Sequence, residues 1–398
     1  MTRLEFRDLE FRQRDGFLEV FFMRIFQCRI PNSELERIGA FSAEGNSVEF
    51  DCSERRARFR FNQLLQRAFS NLRNVVTGRR AIYIHRNSGI PLIGSNSFGI
   101  VDRNTSIVEV KPITGCNLDC IFCSVDEGVS SKDKRDVVVE EEYLVEEFRK
   151  LAEFKRVRVE AHINASGEPL LYSRIVDLVR DLRSIPNVGV ISMDTNGVML
   201  TEDLALRLRD AGLTRFNISI SGFSQEAYSR MSGSSASVDR LKDVIRFCSG
   251  IAEVLIAPVW VPGFNDSEIE ELIAFAKRLN VRIGIQNFLE YERGRRPTAQ
   301  LSMEEFRARL KALEQKHGVK LLLSPDDFGI VRTERLPKPF RKGDIVNAYV
   351  ASEGRGAGEF IGVCSGRNIT LLGSFRVGSC ARVRILRSKH NIFLARRV

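Results

Sequence analysis

The chain has no uninterrupted apolar stretch long enough to cross a membrane. Its most hydrophobic early segment, Phe17 to Phe26, is short and broken by Glu19 and Arg24. It reads as neither a membrane span nor a secretory signal. The dense pairing of a disulfide scaffold is also missing. Of eight cysteines in 398 residues, five (Cys28, Cys52, Cys248, Cys364 and Cys380) are scattered, which argues for a reducing, cytoplasmic setting. His85, His162, His317 and His390 sit in no partner pattern and are expected not to ligate a metal. Acids run short near the C terminus. From Lys338 to Val398 twelve bases face three acids, in a chain of net charge +10. A charged face is usually only solvated, but loading this one-sided is the footprint of a polyanion binder.

What is present is 43% apolar and 28% charged residues, the balance of a globular protein, over a length that suits two or three domains. The informative stretch is Gly115 to Gly128, GCNLDCIFCSVDEG, in which Cys116, Cys120 and Cys123 stand in a C-x3-C-x2-C spacing. Ile107 to Lys111 before it alternates as a strand does. Val138 to Phe154 after it has helical periodicity and an acidic first turn, which suits a helix N terminus. Clustering on one loop lets a metal gather three thiolates at small entropic cost. A four-iron cubane held by three thiolates keeps one iron free for an outside ligand. Structural zinc normally closes with a fourth Cys or His, and the first candidate downstream is His162. Inert buried thiols are the bland alternative.

These residues resemble the cluster loop of the radical S-adenosylmethionine (SAM) superfamily, including an aromatic, Phe122, before the last cysteine. Further matches follow in order. Ser166-Gly167-Glu168-Pro169 resembles the family's GGEP motif, with Ser replacing the first Gly. Thr195-Asn196-Gly197 follows the next strand, FNISISG (216–222) resembles the fourth strand, and PVWVPGFND (258–266) the fifth. The resemblance spans roughly residues 105 to 320. It implies a [4Fe–4S] cluster on Cys116, Cys120 and Cys123, with SAM on the free iron and cleaved to methionine and a 5′-deoxyadenosyl radical. It also implies Gly167 and Glu168 at the SAM amino group, the Ser166 carbonyl beside them, Asn196 and Ser219 at the ribose or carboxylate, and Phe122 near the adenine. An electron donor such as ferredoxin or flavodoxin would be needed. Gly-Glu-Pro and Asn-Gly are also ordinary turns.

The expected fold is α/β: a partial (β/α)6 TIM-type barrel over residues 105–330, an N-terminal α+β accessory lobe over 1–104, and a small all-β OB-like barrel over 338–398. In the lobe, 48–52 and ARFRF (57–61) read as strands, 62–75 as a helix and 81–85 as a strand. Strands of the central barrel are expected at 107–112, 157–163, 188–194, 215–220, 254–260 and 282–288, with helices between them. Such alternation specifies a parallel sheet, with the site in loops at the strands' C-terminal ends. Five short strands with Gly-rich turns end the chain. KGD (342–344), Gly354 to Gly358, Val377-Gly378 and NIFLARRV resemble a TRAM domain, an RNA-binding barrel.

The consequent expectation is a radical SAM enzyme modifying tRNA or rRNA. Arg341, Lys342, Arg355, Arg382, Arg384 and Lys389 would contact phosphates, and Phe360, Phe375 and Phe393 would stack on bases or pack in the core. A methylthiotransferase is disfavoured, because the N-terminal lobe holds only Cys28 and Cys52, and no D-x-H-x-x-G cobalamin motif appears. Methyl transfer through Cys248, Cys364 or Cys380 stays open. The alternatives are a radical SAM enzyme acting on a protein, peptide or small molecule, and a non-catalytic metal-containing RNA binder. No membrane association is expected.

Overall fold

The computed structural model describes all 398 residues, Met1–Val398. No helix is long and apolar enough to cross a membrane. The N-terminal lobe is a seven-stranded antiparallel sheet built from Thr2–Glu5, Leu9–Arg14, Phe17–Phe22, Phe26–Pro31, Phe41–Gly45, Ser47–Phe50 and Arg73–Asn74. A helix, Glu54–Phe69, lies on one face. It overturns the strand expected at 57–61. Ala57, Phe61, Leu64, Leu65 and Ala68 are its buried residues, a spacing of four and three that only a helix gathers on one side. ARFRF alternates by chance over five residues, and the longer period wins. Phe61 packs between Phe6, Phe11 and Phe50, with ring centroids 5.7, 5.9 and 5.5 Å away.

The central domain holds six parallel strands in chain order: β1 (Ile107–Lys111), β2 (Val159–Ile163), β3 (Val188–Thr195), β4 (Arg215–Ile218), β5 (Glu253–Ile256) and β6 (Arg282–Ile283). An antiparallel strand, Gly99–Asp102, closes the β1 edge, so the barrel is partial. Helices Ile175–Arg183 and Glu202–Ala211 lie between β2 and β3 and between β3 and β4, as the alternation predicts. The helix expected at 138–154 is split, since Asp136–Val139 pairs as a strand with Ala81–Ile84 and the helix runs Glu141–Lys155. Val137, Val138 and Val139 on that strand, with Ala81 and Ile84 on its partner, are buried hydrophobics that favour the pairing. The helix Gln225–Ser232 carries no expectation from sequence; Ser224 caps it by accepting from the Ala227 N–H.

Alternation along β1–β4 turns Val108, Val110, Ala161, Ile163, Ile191, Met193, Phe216 and Ile218 into the apolar core. The intervening positions carry Glu109, His162, Ser192, Asp194 and Asn217, which lie in register on neighbouring strands. The barrel lumen is therefore polar, and its side chains bond across strands.

The last domain is a closed barrel of Ile345–Glu353, Glu359–Cys364, Arg367–Leu372, Cys380–Arg387 and Leu394–Arg397, the first strand pairing with the second and fourth, and the fifth lying between the third and fourth. Phe393 is fully buried in its core, which removes it from base stacking. Phe360 and Phe375 pack edge-on at 5.7 Å. The barrel seats on the loop before the central domain: Phe393 N–H donates to Gly94 O at 2.9 Å and Asn368 N–H to Ile93 O at 3.0 Å. Gly94 has φ +146°, and a Cβ there would meet Asn368 O at 1.9 Å, so this approach needs glycine.

Candidate active site

All the loops singled out in the sequence meet at the C-terminal ends of the strands. They enclose a cavity of about 340 Å³ lined by Cys116, Cys120 and Cys123, Phe122, Gly167, Glu168, Asn196 and Ser219. Ser166 lies behind it, in a two-residue parallel pairing of Thr114–Gly115 with Ser166–Gly167. That pairing fixes the cysteine loop to the Ser-Gly-Glu-Pro loop. Gly167 sits at φ +143°, where a Cβ would fall 1.9 Å from Gly115 O. Glu168 N–H then donates to the same carbonyl at 2.9 Å.

Glu168 is fully enclosed. Its carboxylate accepts from Leu170 N–H (3.0 Å), Thr195 Oγ1 (2.7 Å) and Asn196 N–H (2.7 Å). Burial nevertheless pushes its pKa up to about 7, because desolvation of the anion outweighs the three donors. The Asn196 side chain donates to Asn117 Oδ1 at 2.8 Å and reaches Cys116 Sγ at 3.9 Å, so it ties the Thr-Asn-Gly turn to the cysteine loop. Ser219 Oγ donates to Ala257 O at 3.3 Å and faces the cavity. Phe122 packs against an apolar wall of Met231, Val261 and Phe288, a surface on which a flat ring can lie.

Do the thiols fit a cluster? All three line one cavity that no other Cys or His lines, a three-thiolate donor set that suits a cubane in which each thiolate takes a different iron. Burial raises the pKa of all three, Cys120 to about 12. As free thiols they are therefore protonated, and metal binding must release their protons. The Glu127 N–H donates to Cys123 Sγ at 3.1 Å, the kind of bond that tunes a cluster's potential.

Several residues of this site have no sequence motif. Arg295, after β6, donates to Asp126 Oδ1 (2.8 Å), Asp119 Oδ1 (2.6 Å) and the Asp119 carbonyl (2.8 Å). Its own N–H donates to Cys123 O at 2.9 Å, so one residue pins the cysteine loop from both sides. Tyr228 lines the cavity with an Oη that has no partner. Asp194 also faces the cavity, held by Asn217 Nδ2 at 2.8 Å and His162 Nε2 at 3.2 Å. Burial works against a charged imidazole, but Asp194 prevails and raises the His162 pKa.

The expected phosphate contacts divide. Arg341, Lys342, Arg382, Arg384 and Lys389 are exposed, and none has an ion-pair partner. Arg355 is not on the surface. It inserts between the last barrel and the cysteine loop, paired with Glu127, which also takes Arg79 at 2.8 Å. Burial lowers the Arg355 pKa to about 10, so it stays charged at neutral pH. Its partners lie inside the protein, and a phosphate backbone cannot reach it there.

The model of the Radical SAM superfamily matches residues 110–276. The uncharacterized protein MJ0103 of Methanocaldococcus jannaschii is 34% identical over 98% of this chain and 96% of its own length. The GTP 3′,8-cyclase of Petrotoga mobilis is 33% identical over 48% of this chain. The alignment spans 56% of that cyclase, just over half its length. Among solved structures, Streptococcus suis SuiB bound to S-adenosylmethionine covers 80% of this chain and 71% of its own at 13% identity and a TM-score of 0.45. The chain thus belongs to one full-length family with the Methanocaldococcus protein, and its barrel is a radical SAM domain, that of an enzyme using a [4Fe–4S] cluster and SAM.

Proposed function

We propose that this radical SAM enzyme modifies a structured RNA, a tRNA or rRNA, held by its C-terminal barrel. The observation that carries the reading is a row of cations on that barrel's outer sheet. Ile345, Arg384 and Arg396 lie in register across three strands, with Asn347 and Arg382 in the next row. Strand neighbours in register share a face. Arg382, Arg384, Arg396 and Arg397 are exposed without acidic partners, and Tyr349 stands on the same face, 48% exposed. Unpaired arginines beside an aromatic suit phosphates and bases. The strand order, with the fifth strand between third and fourth, supports reading it as an OB-type barrel of the TRAM kind.

When bound, the cluster and SAM supply a 5′-deoxyadenosyl radical that takes a hydrogen atom from the substrate. The chain's residues prepare the place for that step. Cys116, Cys120 and Cys123 hold the cluster, Gly167 and Glu168 accept the SAM amino group, and Ser219 and Asn196 face its polar edge. Phe122 and Phe288 exclude water. Asp194, with His162 behind it, offers the substrate a hydrogen-bond acceptor.

A second reading takes a free purine nucleotide as substrate, because the barrel aligns with enzymes named GTP 3′,8-cyclase. One experiment separates the two. Anaerobically reconstituted protein is given SAM and dithionite with either bulk tRNA and rRNA or GTP, and 5′-deoxyadenosine is measured. Stimulation by RNA, and a missing modified nucleoside in RNA from cells lacking the gene, would establish the first reading; stimulation by GTP alone would replace it with the second.

A further inference from the structure

The N-terminal lobe contributes nothing to the cavity, yet its one long helix is heavily cationic. Glu54–Phe69 carries Arg55, Arg56, Arg58, Arg60 and Arg67 against a single acid, Glu54. At 3.6 residues per turn, Arg56, Arg60, Gln63 and Arg67 fall at intervals of four, three and four, so they form one stripe. With Arg37 they line a concave surface of about 440 Å³ in which the one acid is Glu34. Glu34 pairs with Arg67 at 3.1 Å, and Arg58 with Glu54 at 2.8 Å. Arg56 donates to the Arg37 carbonyl at 3.1 Å, which holds its guanidinium at the rim. Arg55, Arg56, Arg60 and Arg37 have no acidic partner.

The helix face next to this stripe carries Arg55 and Phe59. Phe59 is 60% exposed with the Arg60 guanidinium 6.0 Å from its ring. One step further round, Asn62 and Gln66 form a wall of a groove of about 920 Å³. The opposite wall is the C-terminal barrel, through Ala351, Ser352 and Val377. A continuous face therefore runs from the barrel, across a groove of mixed apolar and polar lining whose acids Asp8 and Glu353 are paired with Arg174 and Arg135, over an exposed phenylalanine and onto the arginine stripe. Guanidiniums with an aromatic between them fit a phosphate backbone and its bases, whereas an acidic protein surface would leave Phe59 without a flat ring to meet.

We infer that the exposed face of helix Glu54–Phe69 is a second RNA-binding surface that grips the phosphate backbone of the same RNA held by the C-terminal barrel. This rests on the RNA reading above and assigns the N-terminal lobe its task. The test uses full-length, cluster-loaded protein with bulk tRNA and rRNA as probes, binding being followed by fluorescence anisotropy across a salt series. The variants are R56E/R60E, the neutral R56Q/R60Q and, on the other surface, R382E/R384E; melting temperature and iron per chain control for folding. Each reversal should weaken binding roughly 10-fold or more at low salt, and R56Q/R60Q should lower the slope of log affinity against log salt by about 2, since each phosphate neutralised contributes ~0.9. F59A should weaken binding severalfold without changing that slope. If R382E/R384E loses affinity while both Arg56/Arg60 variants bind as the wild type does, the inference is wrong and the RNA reading stands. If the wild type binds neither tRNA nor rRNA at low salt, both fall together. Should R56E/R60E fail to fold, R56Q/R60Q alone decides, by its slope.

Discussion

Removing Arg295 should loosen the cluster without unfolding the protein. Its side chain is 20% exposed, and its partners Asp119 and Asp126 are 24% and 35% exposed. At such partial exposure each ion pair contributes about 1 kcal/mol. The charged bond to the Asp119 carbonyl adds about 1.5 kcal/mol. Allowing for non-additivity, the R295A variant forfeits roughly 3 kcal/mol of the cysteine loop's local stability, which makes loop opening about 100-fold more frequent. The assay is the rate at which iron passes from reconstituted protein to an external chelator. R295A should release iron about 100-fold faster, and R295K should fall between, because one ammonium cannot span both carboxylates. The ratio of variant to wild-type rates has a definite pH dependence. Arg295 holds the carboxyls of Asp119 and Asp126 below the usual carboxylate range, against the upward push of burial. A depressed carboxyl stabilises above its ordinary pKa and loses that contribution as pH falls through the lowered value. The ratio should therefore be flat from neutral pH down to the ordinary aspartate range and collapse only in stronger acid. Equal release from R295A and wild type at neutral pH would refute the clamp.

Three further outcomes follow from the same site. Gly167→Ala should abolish cluster retention, because the added methyl would fall 1.9 Å from the Gly115 carbonyl carried by the cysteine loop; normal iron content in G167A would contradict this. Glu168 has its pKa raised to about 7, and an ammonium placed against it favours the anion. SAM affinity should then rise as pH climbs from 6 to 8, and Glu168→Gln, which keeps the carboxyl's shape, should bind SAM weakly and lose that rise, as isothermal titration would show. Glu127→Ala should cost about 3 kcal/mol, since it strands Arg355 as a buried charge while Arg79 keeps Asp136 at 3.3 Å; adding Arg355→Met should recover much of the loss in denaturant melts.

The catalytic loops were legible because their signals are local. Three cysteines within eight residues, a Gly-Glu-Pro turn and an Asn-Gly turn each announce themselves in a few letters, and alternation of strand and helix puts them at one end of one barrel. Helix Glu54–Phe69 was not legible as a helix at its start. Five alternating residues mimic a strand, and the apolar face declares itself only when Leu64, Leu65 and Ala68 are counted with Ala57 and Phe61. Arg295 and Arg355 lay further out of reach. Arg295 is one arginine of the basic stretch ERGRR and Arg355 the one base of EGRGAGE, and what gives each its place is a partner more than 150 residues away. Ion pairs between distant loops leave no period and no spacing.

That same blindness explains why Arg355 resembled a surface contact. Net charge counts bases without saying which are already neutralised, and here the excess splits into two populations with different work. Glu127 lies between Arg79, beside the N-terminal lobe's last strand, and Arg355, from the C-terminal barrel. It follows Cys123 by four residues and donates its own N–H to that thiol. All three domains therefore meet at one carboxylate next to the cluster loop, where a shift of either outer domain would be felt as a displaced charge. The cations that stay exposed, Arg382 and Arg384 on one side and Arg56 and Arg60 on the other, belong to those same two outer domains. On the RNA reading proposed above, an RNA bridging them would fix the positions of Arg355 and Arg79 about Glu127, and the grip on that substrate and the geometry of the cysteine loop would then share one framework.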